Sequence, residues 1–195
     1  MEKLIRRYIK KDDPEVLHDL RVWARKELSV LEKEGKTDLE LKRLLKKSSK
    51  LRDTDVLLEI CKDKKIRKYL KKKHKKLRKK FLEFLKKFKR NVVLLENKKE
   101  FNCEEIFNTS FIGKDDKTLH KLRIVVKKCR YTNPGLEEKL KKIQDYLGKA
   151  HDYYNCETLL IKFGKNPKKA IKKKMKYIRK AEKVRLALRL IRHRS

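Results

Sequence analysis

No stretch of this chain approaches the ~18 consecutive apolar residues that a membrane span needs, so no membrane partner is expected. Glycine and proline are scarce, with five and three residues among 195. No Asn-Gly or Asp-Gly pair offers a hairpin turn, and strand signals are few. The four cysteines, at 61, 103, 129 and 156, never adopt C-x-x-C spacing, and no Cys/His cluster has the look of a zinc ligand set. They read as small buried hydrophobes in a reducing compartment. The opening MEKLIRRYIK lacks the apolar core and cleavage site of a secretory leader, which points to a cytoplasmic protein. Clustered carboxylates of the kind a two-metal site needs are also missing, so neither a catalytic activity nor a cofactor is expected.

Acidic residues are the largest shortage. Asp plus Glu total 27 against 61 Lys plus Arg, giving a formal net charge of +34. Such a surface repels itself unless an anion binds, which leaves nucleic acid, an anionic membrane or a polyanion such as a phosphate polymer as the partners that charge alone would suit. High charge with an apolar content of 38% is also a signature of disorder. Periodicity argues against disorder, because the apolar residues recur at helical spacing nearly throughout.

The spacing predicts an all-α fold. Asp13-Pro14 is an N-cap and first-turn pair, and its helix runs to Glu34, where Gly35 can stop it. Thr37 and Glu40 form a capping box for a second helix. A break is expected near Ser48-Ser49, followed by a new helical turn. An amphipathic helix covers about 64–90. A short helix is expected near 103–108, with a further one at 118–132 capped by Thr118 or Asp116. Two more span about 136–162 and Pro167 to near the C-terminus. Ile171, Met175, Ile178, Val184, Leu188 and Ile191 are expected to face inward on the last.

An internal repeat organises these segments. LHDLRVWARK at 17–26 and LHKLRIVVKK at 119–128 share a frame, although histidine occurs only five times. LKRLLKKSSKLRDTD at 41–55 aligns with LKKIQDYLGKAHDYY at 140–154, pairing Leu44 with Ile143, Lys50 with Lys149, Arg52 with His151 and Asp53 with Asp152. The expected assembly is a single domain of two pseudo-symmetric antiparallel helical bundles, residues 1–90 and 91–195, with a bend at each K-x-[RH]-D.

Counting from each histidine, positions +3, +7 and +10 fall within an arc of about 80° and span about 15 Å of helix. In the second half these are His120, Arg123, Lys127 and Arg130; in the first they are His18, Arg21, Arg25 and Leu28. Apolar residues flank the stripe, with Ile124 and Val22 on the far side and Trp23 in the core direction. The stripe therefore borders the core. Cations packed there without carboxylates are costly unless an anion fills the groove they line. Lys26 and Lys128 end the two frames and join the candidate set, Lys128 pointing towards solvent. Lys50, Arg52, Lys149 and His151 join it from the second helix of each half. His74 and His193 receive no role.

Those residues resemble a known family. LHDLRVWARK, LRDTDVLL, LHKLRIVVKKCRY and IQDYLGKAHD, in that order, are similar to the conserved histidine α-helical domain, the CHAD family. The resemblance covers nearly the whole chain. It implies two helical bundles around a basic central cavity that binds inorganic polyphosphate. Many family members are fused to a triphosphate-tunnel domain. None lies within these residues, so no hydrolysis is implied. Leu28 departs from the pattern, standing where the family usually has a basic residue, which predicts stronger binding by the second-half helix. The expected function is non-catalytic polyphosphate binding, with a place on cytoplasmic polyphosphate granules. The alternative is general nucleic-acid binding through net charge, and non-specific nucleic acid is a possible second partner.

Overall fold

The computed structural model describes residues 1–95, 103–132 and 134–192. The described residues are almost entirely helical, with one two-stranded sheet. The chain divides into two compact units, Met1–Lys98 and Lys99–Ser195.

The first unit opens with α1 (Glu2–Lys10), a helix not anticipated as a separate element. α2 (Pro14–Lys33) begins as expected: the Asp13 carboxylate accepts the Glu15 and Val16 N–H groups, and proline occupies the first turn. Its end is also as expected, with Gly35 at φ +72° carrying the turn that follows. β1 (Lys36–Asp38) pairs antiparallel with β2 (Val92–Leu94), Thr37 opposite Val93. Thr37 therefore lies in a strand, and the N-cap of α3 (Leu39–Ile60) is Asp38 instead. Asp38 is fully buried. It accepts the Glu40 and Leu41 N–H groups at 3.0 Å each and the Arg90 guanidinium at 2.7 Å, which satisfies a carboxylate that burial would otherwise penalise.

The expected break at Ser48-Ser49 is absent, and α3 is continuous through it. Ser48 stays helical because its hydroxyl donates to the Leu44 carbonyl at 2.7 Å, one turn back. α4 (Lys64–Lys86) completes the unit. Tyr8, Leu17, Leu20, Leu44, Leu51 and Phe81 are the centre of its core. Trp23 packs against this cluster, with the Arg90 guanidinium 5.9 Å from its ring.

In the second unit, α5 (Glu104–Asn108) is the expected short helix. α6 (Asp116–Thr132) starts two residues early, because Asp115 accepts the Thr118 N–H at 3.1 Å and does the capping. A 3-10 turn at Pro134–Leu136 leads into α7 (Glu137–Lys162) and then α8 (Lys168–Arg192). α7 is also continuous through its K-x-[RH]-D segment, so neither segment interrupts its helix. Phe111, Leu122, Val126, Leu140, Ile143, Ile178 and Leu188 centre the core. Ile178 and Leu188 face inward as expected and Met175 and Val184 partly so, whereas Ile171 is exposed. The side chain of Ile191 lies outside the described residues, as does His193.

The cysteines correct the sequence expectation. Cys103, before α5, and Cys129, in α6, form a disulfide with Cα atoms 5.8 Å apart. No cysteine is free among the described residues. The pairing eluded the sequence because it joins residues 26 apart, a separation no spacing motif marks. In the chain-entropy account, closing that loop stabilises the fold by about 3–4 kcal/mol. No helix among the described residues is long and apolar enough to cross a membrane.

Candidate functional site

α6 and α7 bring three of the predicted residues of the second unit together. His120 and Arg123 sit one turn apart on α6. His151 reaches across from α7, its ring centroid 5.0 Å from that of His120. The Arg123 guanidinium lies against α7 at Gly148, where an added Cβ would stand 3.3 Å from Nη2. A side chain there would push the guanidinium back by a few tenths of an ångström. Arg123 Nε is buried and has no hydrogen-bond partner among the described residues. Leaving such a donor unmade costs about 1–3 kcal/mol.

His151 is held below its ordinary pKa, first by burial and then by the neighbouring His120 and Arg123, with Asp116 opposing them. It is thus neutral at neutral pH. His120 and Ile124 are exposed, so the expected apolar border on that flank is instead the open side of the cluster. Ile124 faces solvent because α6 packs on the opposite side, through Leu122, Val126 and Cys129.

The remaining second-unit candidates are less convergent. Arg130 donates to Gln144 Oε1 at 3.3 Å and lies 3.7 Å from Glu137, so part of its charge is already engaged. Lys127 is half-buried and so is Lys128, which had been expected to point to solvent. Lys149 does not join the cluster. Its ammonium stands 5.5 Å from the Tyr177 ring on α8. Residues two apart on a helix point about 200° apart, so Lys149 and His151 cannot share a face.

The first unit gathers His18, Arg21, Arg25 and Arg52. Arg21 is pinned: its Nη1 donates to the Leu45 carbonyl at 2.7 Å and to the Ser48 hydroxyl. Arg21 Nε is buried without a partner, as at Arg123. Burial, then Arg25, pulls the Arg21 pKa down to about 10, with Asp53 acting against them. Arg52 donates to the Pro14 carbonyl at 3.3 Å, and the His18 pKa is lowered first by burial and then by Arg52. Lys26 and Lys50 are exposed. Leu28, which breaks the stripe, is buried in the core.

His74, given no role from sequence, is a half-buried link. Its Nε2 lies 2.8 Å from Asp55 and its Nδ1 3.7 Å from Asp12, while Arg78 holds Asp12 at 3.0 Å. Its partners sit on α3 and before α2, far away in sequence, and no local pattern announces them. The Asp55 bond, then the charges of Asp55 and Asp12, raise the His74 pKa, opposed by burial and Arg78. The folded-state value is the higher one. Its contribution to stability is fully present below the unfolded value of 6.5 and is lost as pH rises through the folded value. His18 and His151 have lowered values and act with the opposite sign. The His74 part is therefore isolated by comparing urea unfolding of wild type and His74→Gln across pH 5.5–8.5. The gap in stability is expected to be largest at the acid end and to close towards the alkaline end. A gap constant with pH would show that folding leaves the His74 pKa unshifted.

In the second unit Lys174 of α8 has a similar part, bonding Asp116 of α6 at 3.1 Å and Glu157 of α7 at 2.8 Å.

The chain matches no known protein family, no characterised protein and no solved structure.

Proposed function

We propose that this protein binds inorganic polyphosphate without catalysis, through the His/Arg/Lys stripes carried by each unit. The observation that carries the reading is Arg123, a half-buried guanidinium beside two imidazoles on an open flank. Arginine meets phosphate oxygens through parallel N–H donors, lysine adds a compact charge, and histidine adds a donor whose charge follows the ligand. Arg21 repeats the arrangement in the first unit, although its Nη1 is already committed to α3. The resemblance to the CHAD family supports the same ligand. Binding through counterion release makes affinity fall steeply with salt.

Location on cytoplasmic granules would follow from the ligand. The cytoplasmic part has lost one support, because it went with reduced cysteines, and a structural disulfide is more at home in an oxidising compartment.

Bound phosphate favours protonated imidazole, so His18 and His151 are expected to take up protons when the polymer binds. Affinity then rises as pH falls from 8 to 6. Calorimetry in two buffers of different protonation enthalpy measures the uptake directly. Equal heats in both buffers would remove the histidines from the site. The decisive experiment is a competition titration of labelled long-chain polyphosphate against RNA of matched charge at two salt concentrations. Retention of polyphosphate supports the reading. Equal displacement by RNA, with Arg123→Glu unaffected, would favour the alternative of general nucleic-acid binding through net charge.

A further inference from the structure

α8 carries a second basic surface that the histidine stripes do not use. Lys169, Lys172, Lys173, Lys176, Lys180 and Lys183 line one open trough. At ~100° and ~1.5 Å per residue they occupy an arc of about 100° and extend about 21 Å along the helix. This face is opposite the one that buries Ala170, Ile178, Ala181 and Leu188. None of the six has an ion-pair partner among the described residues. The only acid of α8, Glu182, lies off this face and is engaged by Arg185, Ser110 and the Phe111 N–H.

A rail of cations alone would suit any polyanion. Its neighbours narrow the choice. Tyr177 of α8 stacks with Tyr146 of α7 at 6.4 Å and with Tyr153 at 5.8 Å, forming a half-buried column of three rings. The column adjoins the rail, since the Lys180 ammonium stands 5.6 Å from the Tyr146 ring and that of Lys149 stands 5.5 Å from Tyr177. A phosphate polymer has nothing to place on aromatic rings. A single-stranded nucleic acid has a base for the ring and a phosphate for the ammonium that the base displaces. Cationic tracks edged by aromatic side chains are how unpaired strands are held with little sequence preference. Duplex bases are already stacked and would leave the rings unused.

We infer that the lysine rail of α8 and the Tyr146–Tyr177–Tyr153 column form a binding surface for single-stranded nucleic acid, separate from the histidine stripes. The inference does not rest on the polyphosphate reading, because it uses none of the same side chains except Lys149, which the structure has already removed from the histidine cluster.

The test uses the full chain and fluorescence anisotropy with three probes: a uridine 20-mer, an abasic phosphodiester 20-mer of equal charge, and long-chain polyphosphate. The uridine oligomer is expected to bind about tenfold more tightly than the abasic one, the contribution of one stacked base. Lys172→Ala/Lys176→Ala/Lys180→Ala is expected to weaken RNA binding at least tenfold. It should also reduce the slope of log affinity against log salt by about 2, at ~0.7 for each lost cation on a single strand. Arg123→Glu should leave RNA affinity within threefold of wild type. These lysines face solvent, so the triple variant keeps its fold, which its unfolding transition checks. Equal affinity for uridine and abasic oligomers would overturn the role of the tyrosines. RNA binding that falls as much in Arg123→Glu as in the triple variant would overturn the separate surface. The polyphosphate probe is a control whose binding by the triple variant should change less than threefold; a loss equal to that for RNA would make the rail a general polyanion track and overturn the assignment to nucleic acid.

Discussion

Arg123→Glu is expected to lower polyphosphate affinity by about a hundredfold. A hydrogen bond to a charged group is worth about 1.5–3 kcal/mol, and reversing the charge adds repulsion to the loss. The position magnifies the effect. The guanidinium is fixed against Gly148, so little side-chain freedom is lost on binding. Arg130→Glu should cost less, because Gln144 and Glu137 already hold that side chain. Lys73→Glu, on α4 of the first unit and near the Tyr69 ring, should cost under threefold. Equilibrium binding at fixed salt separates these cases, and Arg123→Lys serves as a control that keeps the charge. If Arg123→Glu and Lys73→Glu lose affinity equally, net charge governs binding and the cluster has no special part.

Glu182→Ala is expected to destabilise the second unit by about 3–5 kcal/mol. Glu182 ties α8 to the segment before α6: it accepts from the Ser110 hydroxyl at 3.0 Å and the Phe111 N–H at 2.9 Å, and it takes two donors of the Arg185 guanidinium. Arg185 is buried and also donates to the Phe107 carbonyl. Burial alone would raise the Glu182 pKa, but the Arg185 bond, the Phe111 N–H and the Ser110 hydroxyl outweigh it and hold the carboxyl low. Removing the carboxylate leaves a buried, uncompensated guanidinium, the costly way to break such a pair. Glu182→Ala/Arg185→Leu should recover part of the loss, since it removes the stranded charge as well. Chemical denaturation of the four proteins of this cycle measures the coupling. A double variant that loses the plain sum of the two single losses would mean that the pair is not coupled.

How far the sequence foretold these features depended on the range of the interaction concerned. The start of α2 was legible because Asp13 and Pro14 act on N–H groups within three residues, and its end because Gly35 needs no partner. The capping of α3 was misjudged by one residue. Thr37 and Asp38 are both capping types, and the choice fell to β2 and Arg90, some fifty residues on. Ser48 was read as a breaker because serine favours turns in isolation; its bond to Leu44 and the Arg21 donor keep it helical. His120 and His151 were legible as a set through the shared motifs, but Lys149 was carried along with its motif, although helical geometry turns it away. His74, Glu182 and the Cys103–Cys129 pair were hidden for one reason. Each acts between elements that only packing brings together.

The continuity of α7 has an electrostatic consequence. With no break in the helix between Lys149 and His151, one helix serves the imidazole cluster on one flank and the tyrosine column on the other. A helix with its side chains is about 10–12 Å across, while the screening length is ~8 Å at 0.15 M salt and ~30 Å at 0.01 M. A polyanion seated on one flank therefore lowers the potential felt at the other in dilute buffer and hardly at all near physiological strength. Ionic strength thus sets whether the two flanks of α7 compete or act independently.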